Sequence, residues 1–277
     1  GAGAWVADVT TKDQRSGGFG RLNAGFSAGR IVGPAIAGFL LVISYTLPFY
    51  IFSIGLFFIS IILLKQPSAH FQKKEEQISD LKMLDNRVWP FLIIGITLGI
   101  CNAALVQTSS FYFQDVIVPS VQNPITYASI GFMLGAFGSI IGQLLLADKL
   151  RVSPGSLIRY GTLLIAIALL SISASNTLSL IYVSLFLFGL GQGTQSTGLA
   201  AAISLSVGQE HQGKANGFMG MVLPVGHIFS PLIAMPLYMA SPHYPYLLGF
   251  LVMFFSLLFI QLNKQHRWIR KKGISEL

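Results

Sequence analysis

The chain has 277 residues, 53% of them hydrophobic and only 10% charged, where a soluble globular domain carries roughly a quarter charged residues. With a mean hydropathy of +0.66, that balance excludes a soluble globular protein. The single cysteine, Cys101, excludes a disulfide framework and a thiolate metal cluster. The apolar runs are about 20 residues long, the span of a bilayer-crossing helix, whereas barrel strands would be about ten residues long with alternating polarity. An all-α integral membrane protein is therefore expected.

The chain opens on an apolar stub, Gly1 to Ala7, which leads through Asp8 into the polar loop VTTKDQR. The stretch that follows, to about Ile43, is glycine-studded. Gly25, Gly29, Gly33 and Ala37 recur every fourth residue and make one side-chain-poor stripe of the kind that lets membrane helices pack closely. Pro34 removes a backbone donor and frees the carbonyl of Arg30. Arg30 lies well inside the span, where a charge is costly and usually functional. A second span runs from Phe49 to Leu64, and residues 66–87 form a hydrophilic linker of mixed charge. Six spans follow: Val88 to Phe113, Ile125 to Ala147, Leu157 to Ile172, Leu178 to Leu205, Asn216 to Met239 and Tyr246 to Leu262. The resulting organisation is the end of one bundle (1–65), a linker (66–87), a six-helix bundle (88–263) and a basic tail (264–277).

The net charge of +8 raises the question of nucleic acid, and its placement answers it. Lys12, Arg15 and Arg21 flank the first loop, and Lys65, Lys73, Lys74, Lys82 and Arg87 flank or occupy the linker. Lys149, Arg151 and Arg159 cluster at the next such connection, Lys214 at another, and five more basic residues in the tail. The alternate connections carry none. Such alternation is the positive-inside pattern, which puts the linker and the tail in the cytoplasm and leaves no reason to expect a nucleic-acid partner.

Sliding the chain by 197 residues aligns Gly1–Leu40 with Gly198–Leu237 without a gap. Gly20, Gly29, Pro34 and Ala37 then meet Gly217, Gly226, Pro231 and Ala234, and Arg30 meets His227. Two related six-helix halves are a common transporter plan, and on that plan roughly 110 residues would precede this stretch in the intact protein. The expectation is eight complete spans and the end of a ninth, within a protein of twelve.

Gly20-x8-Gly29-x3-Gly33-Pro34-x2-Ala37-Gly38 resembles the fifth-helix antiporter motif of the major facilitator superfamily, with Ala37 in place of one glycine. The loop after the stub, with Asp8, Asp13 and Arg15, resembles that family's exit from its fourth helix. Asp148, Lys149 and Arg151 resemble the weaker second copy of its cytoplasmic-loop signature, although Leu144 and Arg151 stand where glycines usually sit. The resemblance covers the chain as helices five to twelve. It implies the major facilitator fold of two pseudo-symmetric bundles, with the first incomplete here. It also implies the drug:proton antiporter branch: export of small amphipathic compounds driven by the proton gradient, with no bound cofactor. The expected surroundings are the cell membrane, a small-molecule substrate and the lipid bilayer, and the expected state is a monomer. A carrier of sugars or organic anions, for which Arg30 would clamp the substrate, and a truncated, non-transporting membrane protein are the rival readings.

The remaining candidates follow from buried polarity. Gln107, Ser110, Phe111 and Gln114 share one helix face, and Gln192 and Gln195 share another. Amides are costly against lipid, so these line either helix contacts or a wet cavity. Arg30 and His227 each stand four residues before a proline; either could bond a backbone carbonyl at the kink, Arg30 could line the cavity, and His227 could carry a proton. Gly131, Gly135, Gly138 and Gly142 form a second small-residue stripe, expected to face the first across the interface between the halves. Most carboxylates lie in loops, linker or tail; Asp115 alone approaches a span, at its outer end. No catalytic triad, HExxH motif or paired mid-membrane carboxylate is present, which argues against an enzyme.

Overall fold

Proline placement and apolar run length set where the helices begin. The computed structural model describes residues 29, 33, 36, 37, 40, 43, 44, 46–64, 81–117, 124–143, 152–207, 211–265 and 269. Among them all long elements are helices. They are α1 (Leu47–Leu64), α2 (Trp89–Tyr112), α3 (Pro124–Ile141), α4 (Pro154–Ser173), α5 (Leu178–Ser206), α6 (Gln212–Ala240) and α7 (Tyr244–Leu262). Pro90, Pro154 and Pro245 sit in the first turns of α2, α4 and α7. A missing N–H costs nothing there and the fixed φ is already helical. Ser153 caps α4 by accepting from the Ser156 amide. These starts explain why α4 and α7 begin a few residues ahead of the apolar runs read from the sequence.

The chain forms two compact units, residues 1–76 and 77–277. In the first, Gly29, Gly33, Ile36, Ala37, Leu40 and Ile43 are helical. A Cβ added at Gly29 or Gly33 would meet nothing within 4 Å, so among the described residues these glycines make no close contact inside their own unit. Helix α1 buries only Pro48, leaving an apolar surface suited to lipid or to another protein segment.

The second unit is a six-helix bundle in which α5 packs against both α3 and α4, α2 against α6, and α4 against α7. Glycines set these contacts. Gly189 and Gly193 lie one turn apart on α5 and press on the backbone of Gly135 and Ser139 of α3. Gly191 and Gly198 face α4, where a Cβ at Gly191 would lie 2.8 Å from the carbonyl oxygen of Gly161. Between α2 and α6, a Cβ at Gly99 would lie 2.7 Å from the Val222 carbonyl oxygen, and one at Gly226 would fall on the Gly99 backbone. With no hydrophobic force between helices in lipid, such close approach supplies much of the cohesion.

The stripe Gly131, Gly135, Gly138 and Gly142 is read from sequence as facing the other half. The structure corrects this: all four lie against α5 of the same unit, on Leu185, Phe186 and Leu190. A stripe of small residues specifies a close neighbour without specifying which helix it is, and α5 carries the matching glycines. Helix α5, at 29 residues, carries most of its polar side chains in one central stretch. Its polar, glycine-rich centre, Gly189 to Gly198, is shielded by α3 and α4, so it does not need an apolar surface.

At the bundle's entry, Asp85 organises the first turn of α2. Its backbone carbonyl accepts from the amides of Val88 and Trp89, and its carboxylate accepts from the Arg87 side chain at 2.8 and 3.1 Å and from the Arg87 amide at 2.9 Å. The Arg87 hydrogen bonds, above all those from the guanidinium, hold the Asp85 carboxyl down to about 2.

Three outcomes follow from these surroundings. Gly226→Val is expected to destabilise the bundle by about 3 kcal/mol through overpacking, read as a lowered melting temperature in detergent. Gly220→Ala, with nothing within 4 Å of the new methyl, is expected to stay within about 0.5 kcal/mol of the parent. For Asp85 the folded-state value is depressed, so its stabilisation is complete above the ordinary carboxylate range and is lost as pH falls from about 4 through about 2. Asp85→Asn should remove that segment of the pH–stability curve, and an unchanged curve would refute the pairing.

Candidate functional site

Hydrocarbon offers no hydrogen bonds, so polar groups left uncovered on a membrane helix mark a face turned to protein or water. On α2, Gln107 and Ser110 are half-buried, and Phe111 and Gln114 are exposed. The Gln107 carbonyl oxygen is itself enclosed but has no hydrogen-bond partner. Beyond Tyr112 the helix widens into one π turn, Phe113–Ile117, which carries Asp115. The Asp115 carboxylate accepts a 2.8 Å bond from the Tyr238 hydroxyl of α6, and the Phe111 and Tyr238 rings lie 6.2 Å apart. The ends of α2 and α6 are thereby joined by an amide, aromatic and carboxylate surface. His227, also exposed, is bonded through Nδ1 to the Leu223 carbonyl at 3.0 Å. It therefore bonds one turn back along its own helix and does not reach the carbonyl that Pro231 frees, which is its own.

The two glutamines of α5 are placed differently. Gln192 is buried, and Gln195 is fully enclosed, donating through Nε2 to Thr162 Oγ1 on α4 at 2.8 Å. Of the two readings left open by the sequence, Gln195 shows the helix contact, where the glycines bring α4 and α5 close enough for its amide to reach across, and its Oε1 is enclosed without a partner. Asp8, Arg15, Gly20, Arg30, Pro34, Gly38, Asp148, Lys149 and Arg151 lie outside the described residues.

Sequence reasoning missed a second polar cluster. The Tyr112 hydroxyl stands 3.0 Å from the Ile172 carbonyl, 2.8 Å from the Ser175 carbonyl and 3.0 Å from His243 Nδ1. A phenol has one proton, and two carbonyls claim it, so His243 Nδ1 is the donor. Tyr246 packs edge-on against the Tyr112 ring at 5.1 Å, and its hydroxyl meets that of Thr108 at 2.9 Å. These contacts tie α2, the α4–α5 turn and the start of α7 at one end of the bundle. The partners are 60 to 138 positions apart, too far for any local pattern; only the presence of tyrosines and a histidine at span ends could have hinted at them.

A protein-family comparison matches the Major Facilitator Superfamily over residues 1–231 and again over 146–274. The chain belongs to that superfamily, a family of transporters and not of enzymes, and is a multi-pass membrane protein. Among curated relatives it is similar to "Multidrug resistance protein 1" of Bacillus subtilis (strain 168), 27% identical over 255 residues covering 89% of this chain and 64% of that protein. It is also similar to "Quinolone resistance protein NorA" of Staphylococcus aureus (strain MSSA476), 27% identical over 272 residues covering 95% of this chain and 68% of that protein. The chain thus spans about two thirds of the length of these relatives.

Tyr112→Phe is expected to destabilise the bundle by about 2 kcal/mol, because the enclosed carbonyls and the His243 donor lose their partner. Tyr238→Phe should cost less, since Asp115 remains open to solvent. Melting of both variants in the same detergent checks the order.

Proposed function

We propose that the chain forms part of a carrier that exports small amphipathic compounds across the cell membrane by alternating access, in exchange for protons. The observation that carries this reading is the uncovered face of α2 and α6. Phe111, Gln114, Asp115 and His227 are exposed and Gln107 is half-buried beside them, so aromatic, amide, carboxylate and imidazole groups on these helices are left partly uncovered by their own bundle. Aromatic walls with a few hydrogen-bonding groups suit cargo that is apolar with a polar end. The printed names of the two relatives, which refer to multidrug and quinolone resistance, favour the same class of cargo. The charge alternation supports a cytoplasmic linker and tail. The energy source in this reading is the proton gradient, with no bound cofactor, and the working unit is the monomer.

His227 is the titratable group on this face best suited to proton exchange, because the described spans carry no carboxylate except Asp115 at the end of α2. In the internal repeat Arg30 aligns with His227.

The test is dye efflux from energised cells or vesicles. Export should collapse when an uncoupler dissipates the proton gradient, and Gln107→Leu should slow it about tenfold while leaving the melting temperature in place. His227→Gln should weaken cargo-driven proton movement more than cargo binding. Uncoupler-insensitive export, or uptake of an organic anion abolished by Arg30→Gln, would overturn the proposal in favour of another carrier type.

A further inference from the structure

The chain enters α2 and leaves α7 at one end of the second unit, and two segments from outside the spans are fastened there. Leu81, from the end of the linker, and Ile269, from the basic tail, are both buried and share one core cluster with Val88, Phe91 and Ile260. The Trp89 ring lies 5.7 Å from that of Phe259, so the approach to α2 and the last turn of α7 lie side by side. A tail held by a buried isoleucine is tethered to the bundle, because releasing it would return that side chain to water.

The same end presents lysines beside uncovered apolar side chains. Lys82 is exposed and is followed by Met83 and Leu84; Lys264 is exposed and stands two residues after Leu262. Leu84 and Leu262 are 84% and 78% exposed. Arg87 is paired with Asp85 at 2.8 Å, whereas neither Lys82 nor Lys264 forms an ion pair among the described residues. The tail adds Arg267, Arg270, Lys271 and Lys272 against one acid, Glu276.

Depth selects the partner. Helix α7 has 19 residues and is about 28 Å long, which matches the hydrocarbon thickness of about 30 Å. Leu262 and Lys264 therefore stand at the boundary of the hydrocarbon. Leucines exposed at that level are unfavourable against water and favourable against acyl chains, and the neighbouring ammonium groups reach the headgroups. An acidic protein segment would answer the charge and leave the leucines uncovered. An anionic phospholipid answers both, and each basic residue held near such headgroups favours it about fivefold.

We propose that this end of the second unit is a binding surface for anionic phospholipid, with Lys82, Lys264 and the basic tail facing the headgroups and Ile269 anchoring the tail. Lipid binding of this kind is an equilibrium property independent of cargo and of energy source, so it stands or falls separately from the export reading.

Trp89 is the reporter. The chain has three tryptophans, and Trp5→Phe with Trp268→Phe leaves Trp89 alone at this end. Its fluorescence is followed with the full chain in phosphatidylcholine nanodiscs, as lipid is replaced by brominated phosphatidylglycerol or by brominated phosphatidylcholine. At about 0.1 M salt the brominated phosphatidylglycerol should quench with about tenfold preference, falling to within about twofold at about 1 M, where charges are screened beyond about 3 Å. Lys82→Gln with Lys264→Gln, both at exposed positions, should lower the preference to about threefold or less, and Lys82→Arg with Lys264→Arg should retain it. Ile269→Ala removes no charge and should also lower it, because the tail loses its anchor. Excess glycerol 3-phosphate in the buffer should leave the quenching unchanged. Equal quenching by the two lipids would overturn the proposal, and would leave this surface to an acidic protein segment. A preference unmoved by the glutamine pair, by Ile269→Ala or by salt would overturn it too, as would displacement of the lipid by glycerol 3-phosphate.

Discussion

Hydrocarbon cannot satisfy a backbone or side-chain hydrogen bond, and the rest of this structure depends on that constraint. It forces each described span to be helical. It also divides the polar side chains into those that find partners inside the bundle and those that need water or protein outside it. Gln195 belongs to the first group through Thr162, as does Tyr112 through the α4–α5 turn and His243. Gln114 belongs to the second, and Asp115 and His227, each with one partner inside the bundle, remain exposed beside it. The contrast between these two groups separates the sealed side of the bundle from the side that is left open.

Close packing performs the task that the hydrophobic effect performs in water. Gly189 and Gly193 against α3, Gly191 and Gly198 against α4, and Gly99 against Gly226 bring helix backbones into contact. Dispersion and short interhelical hydrogen bonds then have something to act across. The Gln195–Thr162 bond exists because the glycines bring α4 and α5 that close. Helix α5 shows the consequence most clearly: its glycine- and glutamine-bearing centre is tolerated because two neighbours enclose it.

The α2–α6 pair is held by glycines at Gly99 and Gly226 and by a polar tie at Asp115 and Tyr238. Between and beside these points α6 carries Pro224, Pro231 and Pro236, each of which removes a backbone donor. A helix interrupted this often is suited to changing shape.

Composition, run length and charge alternation alone determined a multi-pass helical membrane protein. These signals are local: a span is legible because about 20 successive residues face the same solvent. The fifth-helix spacing from Gly20 to Gly38 and the repeat joining Arg30 to His227 were legible for the same reason, as fixed offsets along one chain. Partner choice was not. The stripe from Gly131 to Gly142 announced a close contact, but only the tertiary structure decided that its partner is α5. Likewise the chain showed that Gln114 and Gln195 were both unusual, and only packing separated them, leaving Gln114 exposed and enclosing Gln195 against Thr162. The burial of Ile269 with Leu81 and the bond between Asp115 and Tyr238 were invisible in sequence, because both depend on which segments adjoin at a given depth. A one-dimensional pattern records what each residue can do, and the assembled bundle decides what it meets.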